Sequence, residues 1–444
     1  MTFEDGAPSS SPSLDQQRDA LRKGLGRAMQ WAIGRSLDDE PLLAACLEDQ
    51  RHDMQVEGSR GDWLWGMISA VDAAGRFRVS ILHALYELAD EGDASQLCEL
   101  ARFYAEAGDE TFRGRLYEIV EGKPFPESGW LGEEEIVRLD GEAGFLFAVR
   151  VRGERLAGRA WEWDDDGLFR DAGERFGEER VIELMECSTN PAIQTYWEGW
   201  QNENRSNAQV GPRLSQRERM RAIPVEEILA ISGSGTSRAG LLQSWGTHAE
   251  ESELEAVFHH LSGASEVKVI VDLLRVFSNR PAPQFVAPLI ELCRHANPEV
   301  RRRAFAALEQ NGHPLIREFA LSILEHGNDE GWVIGLFNKN FLPGDERRIL
   351  EAIEVPEDER ERHGLMMDAI RFLESNPDAD CSRLALVAYL STPCGNCRFD
   401  AARLLLGQEV APGWLIDECL YDSNEEGREL ATKVAVHTPK ADVH

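Results

Sequence analysis

Asn297-Pro298-Glu299-Val300-Arg301-Arg302-Arg303-Ala304-Phe305-Ala306-Ala307-Leu308 is followed by His313-Pro314-Leu315-Ile316-Arg317-Glu318-Phe319-Ala320-Leu321-Ser322-Ile323-Leu324. The second run begins its helix pattern 16 positions after the first (314 − 298). Pro, a β-branched residue, Arg, Ala and Leu fall in register at 298/314, 300/316, 301/317, 304/320 and 308/324. Proline is tolerated in a first helical turn because its missing N–H would have no intrahelical acceptor there. Pro283, Pro298 and Pro314, spaced by 15 and 16, are therefore read as helix starts. One amphipathic helix cannot bury its apolar stripe alone, whereas stacked copies build a continuous core. The stretch points to a stacked helical array and an all-α fold.

At 444 residues the chain is long enough for two or three compact domains or for one extended array. Its 47 basic and 79 acidic residues leave a net charge of −32, and the pI is near 4.8. A field of that sign repels a phosphate backbone, so nucleic acid is not the expected partner. Arg301, Arg302 and Arg303 are the densest basic run. Successive helical residues point about 100° apart, so the three are read as a solvated rim with one packed side chain. No run reaches the ~18 consecutive apolar residues of a membrane span. Met1 to Gln17 lacks both the basic and the apolar regions of a signal peptide and is expected to be a disordered tail. Cysteines stand at 46, 98, 187, 293, 381, 394, 397 and 419, and are read as reduced core thiols of a cytoplasmic protein.

Helical periodicity runs from Leu14 to about Gly122, for example at Leu21, Leu25, Met29 and Ile33. It changes between about 130 and 175. Phe147, Val149 and Val151 alternate with polar Arg150 and Arg152 ahead of Gly153, and Trp161-Glu162-Trp163 alternates again. This favours a small β-hairpin, or an irregular insertion, over a poor helix. Asp164 to Gly167 fails as a calcium loop, because Leu168 and Arg175 occupy the fifth and twelfth positions. A polar segment at Asn202 to Gln216 separates the halves, and helical units follow to the end. Gly427-Arg428-Glu429-Leu430-Ala431 repeats the Val300 to Ala304 register more loosely.

Asn297-Pro298-Glu299-Val300-Arg301, with Ala304, Ala307 and Leu308, resembles the inner helix of a HEAT repeat. The resemblance is best over 283 to 326 and extends more loosely over 224 to 436. It implies a right-handed α-solenoid of helical hairpins, in which the arginine at Arg301 serves a hydrogen-bonded ladder between units. The family's aspartate before the proline is Asn297 here and His313 in the next copy, which weakens a charged ladder. The organisation expected is a tail over 1–17, helical repeats over 18–125, an insertion over 126–177, helices with a polar linker over 178–216, and HEAT-like repeats over 217–444.

Where the pattern breaks, chemistry is sought. Glu57, Arg60, Asp62 and Trp63 form a small, charged cluster ahead of an aromatic helix start and are candidate binding residues, with Asp62 the expected N-cap. Trp161 and Trp163 are candidates in the insertion. Thr392-Pro393-Cys394-Gly395-Asn396-Cys397-Arg398 places a C-x-x-C before a helix. Cys394 and Cys397 are zinc candidates, completed by Cys381, Cys419 or His363, and a helix N-terminus would also lower a thiol pKa for redox work. The leading reading of that turn is structural. Ser232 to Ser237 is a linker, lacking the lysine of a phosphate loop, and Tyr196, Trp197 and Trp200 share one helix face as a packing cluster.

The expected function is a non-enzymatic cytoplasmic scaffold or adaptor, without a cofactor, that holds a protein or peptide partner, preferably one with a basic segment. The alternatives are an enzyme on a HEAT-like scaffold, bilin-lyase-like or DNA-glycosylase-like, and a zinc-stabilised adaptor.

Overall fold

The structure is a computed structural model that describes residues 6–88, 91–122, 130–158, 167–209, 215–234, 238–326 and 332–437. Every regular element among them is helical: twenty-six α-helices and two short 3-10 helices, with no strand. None of the described helices is long and apolar enough to cross a membrane. The chain forms two compact units, one made of Pro8–Gly211 with Asp417–Thr432, the other built on Pro212–Ile416.

In the second unit, helix Pro298–Glu309 starts at Asn297, whose Oδ1 accepts the N–H groups of Glu299 (3.0 Å) and Val300 (3.4 Å). Four N–H groups at a helix start have no partner inside the helix, and an N-cap side chain supplies one. Val300, Ala304, Phe305, Ala307 and Leu308 are buried, one apolar stripe at helical spacing. In helix Pro314–His326 the aligned Ile316 and Ala320 are likewise fully buried. The first two aligned apolar pairs are buried alike, whereas Leu308 is buried and its counterpart Leu324 is half-buried.

The arginines do different jobs. Arg301 donates Nη1 to the carbonyls of His295 (2.9 Å) and Ala296 (3.0 Å), tying down the loop before its own helix. Arg362 repeats this on Pro356 and Glu357, and Arg428 on Asp422 and Ser423. Each reaches back six and five residues and stands four after a capping Asx: Asn297, Asp358 and Asn424. Arg317 instead pairs with the buried Asp345, at 2.7 Å. Arg302 and Arg303 fold back onto Glu299 of their own helix.

A second recurrence closes helix ends. Asn311, Asn340 and Asn376 each donate Nδ2 to the carbonyl four residues earlier, at Ala307, Leu336 and Phe372. Asn340 also donates to the Asn311 carbonyl (2.9 Å), and its Oδ1 accepts the His313 N–H. These side chains fill carbonyls that a helix end would otherwise leave bare.

The first unit holds one continuous apolar core running from Ala20 to Trp197. Helix Leu14–Lys23 opens with a capping box on Ser13 and buries Gln17, so order begins inside the segment expected to be a tail. The expected β-hairpin is corrected for the described residues: 142–158 is a single helix, Glu142–Gly158, preceded by helix Glu133–Asp140. Phe145, Ala148, Val149, Arg152 and Leu156 are buried, a helical stripe within which the alternation at 147, 149 and 151 is only a local coincidence. Arg152 points inward, over the Trp130 ring and onto Glu133 at 2.8 Å. Gly153 is no turn but a notch, since a Cβ there would collide with the Ala192 carbonyl of helix Pro191–Gln209. On that helix Trp197 and Trp200 stack with each other and with Phe169, as a packing cluster.

Gly153→Ala should therefore lower the unfolding free energy by ~1–3 kcal/mol, the cost of overpacking. Gly114→Ala, in a helix where a Cβ meets nothing within 4 Å, should be neutral or stabilising by up to ~1 kcal/mol. Urea denaturation followed by circular dichroism distinguishes the two, and equal effects would remove the notch from the account.

Candidate metal centre

The cluster before the aromatic helix is occupied with holding the fold. Glu57 and Arg60 are both buried and paired at 2.8 Å. Glu57 Oε1 also accepts the N–H groups of His52 and Asp53, and Arg60 Nη1 donates to the carbonyls of Leu21 and Arg22. A buried charge is tolerated only when its hydrogen bonds are filled in this way. Trp63 donates its indole N–H to the Tyr421 carbonyl (2.9 Å). Asp62 is not the N-cap: the helix begins at Gly61, whose N–H goes to Glu99 Oε2 (2.9 Å), while Asp62 pairs with Arg102 at 3.1 Å. Trp161 and Trp163 lie outside the described residues.

The C-x-x-C turn is built differently. Cys394 has extended backbone and is the N-cap of helix Gly395–Gly407. Its side chain makes no capping hydrogen bond, although the N–H groups of Asn396 and Cys397, two and three positions on, help to lower its pKa. At the corresponding place Asn297 Oδ1 accepts the N–H groups of Glu299 and Val300. Cys394 thus stands at the Asx position of these helix starts, and Arg398 stands four positions later, in the place of Arg301. Cys397, in the first turn of the helix, brings a second sulfur to the same end.

The third group comes from helix Glu359–Ser375. Its N-cap Asp358 and Arg362 belong to the Asx-x-x-x-Arg set, and the next residue is His363. His363 Nε2 lies 3.2 Å from Cys397 Sγ. The donor atoms of His363, Cys394 and Cys397 all lie within 4.8 Å of one another. Cys394 is buried at 2% exposure, whereas His363 and Cys397 are half-buried. Thr392 Oγ1 accepts the Cys394 N–H (3.3 Å), and its hydroxyl donates to Cys397 sulfur.

Cys381 and Cys419 do not join the cluster. Cys381 directs its thiol to the Leu404 carbonyl (3.4 Å), and Cys419 belongs to the other unit. All eight cysteines are free thiols; six are buried, Cys397 is half-buried and Cys187 is exposed.

The electrostatics follow from the geometry. Cys394 is held well below the ordinary thiol range, first by the hydrogen bond from the Cys397 thiol, against the opposing cost of burial, then by His363 and the helix N–H groups. Cys397 is pushed well up, because its proton sits on the neighbouring thiolate. The contact between the two sulfurs favours one thiolate beside one thiol. A divalent cation would replace the thiol proton and release it. Tetrahedral zinc with Zn–S of about 2.3 Å and Zn–N of about 2.0–2.1 Å sets donors about 3.5–3.8 Å apart, within the span observed here. Two thiolates and an imidazole are the donors of a zinc-class ion.

No protein-family model matches the chain, and no curated protein or solved structure compared with it does either.

Cys394 stands at an N-cap position that asparagine caps at 297 and 424, but its own side chain makes no capping hydrogen bond, so Cys394→Asn should be more stable than Cys394→Ala by ~1 kcal/mol. Denaturation of the two variants free of metal measures this; equal stabilities would show that the position does not accept a side-chain cap.

Proposed function

We propose that the chain is a HEAT-like α-solenoid scaffold, pinned by a zinc-class ion on His363, Cys394 and Cys397, whose partner is a protein or peptide. The observation that carries the metal reading is the convergence of an imidazole and two thiols from separate helices on one point. Such a site crosslinks helix Glu359–Ser375 to helix Gly395–Gly407 across the helix between them, Leu384–Ser391. The repeat reading is supported by the recurring Asx-x-x-x-Arg starts and the Asn311/Asn340/Asn376 helix ends. A stacked array offers a preformed surface, so binding does not have to order the scaffold. The net charge of −32 favours a basic segment in the partner over nucleic acid.

Purified protein should carry one zinc per chain, and Cys397→Ser or His363→Ala should lose it. An ion free at about a hundredfold above its dissociation constant stabilises the folded state by about 2.7 kcal/mol. Chelation should then lower the melting temperature of this unit by roughly 5–10 °C, at ~2–4 °C per kcal/mol. Metal analysis with calorimetry decides the point: a metal-free protein that refuses added zinc, with a melting temperature indifferent to chelator, would sink the proposal.

A further inference from the structure

We propose that the metal on His363, Cys394 and Cys397 keeps its fourth coordination position for the thiolate of a small molecule. This rests on the metal reading above. A closed zinc shell has four protein ligands, and a site with three leaves a position to an incoming ligand. The described residues bring three donors together.

Three neighbouring side chains already have partners. Thr392 accepts the Cys394 N–H and donates to the Cys397 sulfur. Asp400, whose charge reaches Cys397, is paired with Arg403 at 2.9 Å. Cys381 faces the Leu404 carbonyl.

Burial sets the direction of approach. Cys394 and Thr392 are buried at 2% and 0% exposure, while His363 and Cys397 are half-buried, so a small ligand from solvent reaches the cluster past those two.

Charge and softness select a thiolate. A divalent ion with two thiolates and a neutral imidazole carries no net charge, and it sits at the N-terminus of helix Gly395–Gly407, where partial positive charge tolerates another anion. A third thiolate gives three sulfurs and one nitrogen, a set that zinc adopts stably.

Cobalt(II) reports the sulfur count, because each thiolate adds charge-transfer absorption. Titrating Co2+ into the apo full-length chain should develop that absorption, and 2-mercaptoethanol should then raise it about 1.5-fold, from two sulfurs to three. If the cobalt absorption appears and stays unchanged through millimolar 2-mercaptoethanol, the shell is closed by the protein: the inference falls and the metal site stands. Bleaching of the absorption by the thiol also overturns the inference. If cobalt produces no thiolate absorption in the wild type, the metal reading itself falls, and this inference with it.

Discussion

An α-helix begins with backbone N–H groups that nothing inside it can satisfy, and this chain is short helix after short helix. The constraint is met in a recurring way. Asn297, Asp358 and Asn424 each cap a helix, and Arg301, Arg362 and Arg428 return from its first turn to fill the carbonyls of the preceding loop. The candidate metal centre stands at the same kind of place. Cys394 is the N-cap residue of helix Gly395–Gly407 without a capping hydrogen bond of its own, and the helix N–H groups favour its charged form.

The second ingredient is the packing of neighbouring helices. His363 and Cys397 are 34 residues apart in sequence (397 − 363) and touch because helix Glu359–Ser375 passes the start of helix Gly395–Gly407. An ion there would join two helices that each bury an apolar face, with Leu365, Met366 and Ala369 buried on one and Ala401 and Ala402 on the other. Metal binding at this place would be coupled to the folding of this unit.

Much of this is visible in the sequence, for physical reasons. The all-α class follows from periodicity, and the aligned pairs Val300/Ile316 and Ala304/Ala320 pack as their register implies. The C-x-x-C turn is visible because thiols are rare and the helix after it is clear. The hairpin expected at 145–156 fails because a helical stripe contains short alternating stretches, and because a glycine that admits a neighbouring backbone looks the same in sequence as a glycine in a turn. Asp62 fails as a cap because Glu99, distant in sequence, takes the N–H of Gly61. His363 stood beside Cys381 and Cys419 with nothing in its spacing to prefer it. The missing signal was the Asx-x-x-x-Arg alignment, which places His363 directly after the arginine of one helix start and Cys394 in the cap of another.

X-ray absorption at the zinc edge of the purified, reduced protein addresses the central claim, that His363, Cys394 and Cys397 together bind one ion. The account predicts a four-coordinate shell with two sulfurs at about 2.3 Å and nitrogen or oxygen at about 2.0–2.1 Å, including imidazole scattering. A third sulfur should appear only when a small thiol is added. A shell of oxygen and nitrogen without sulfur, or one without the imidazole, would contradict it.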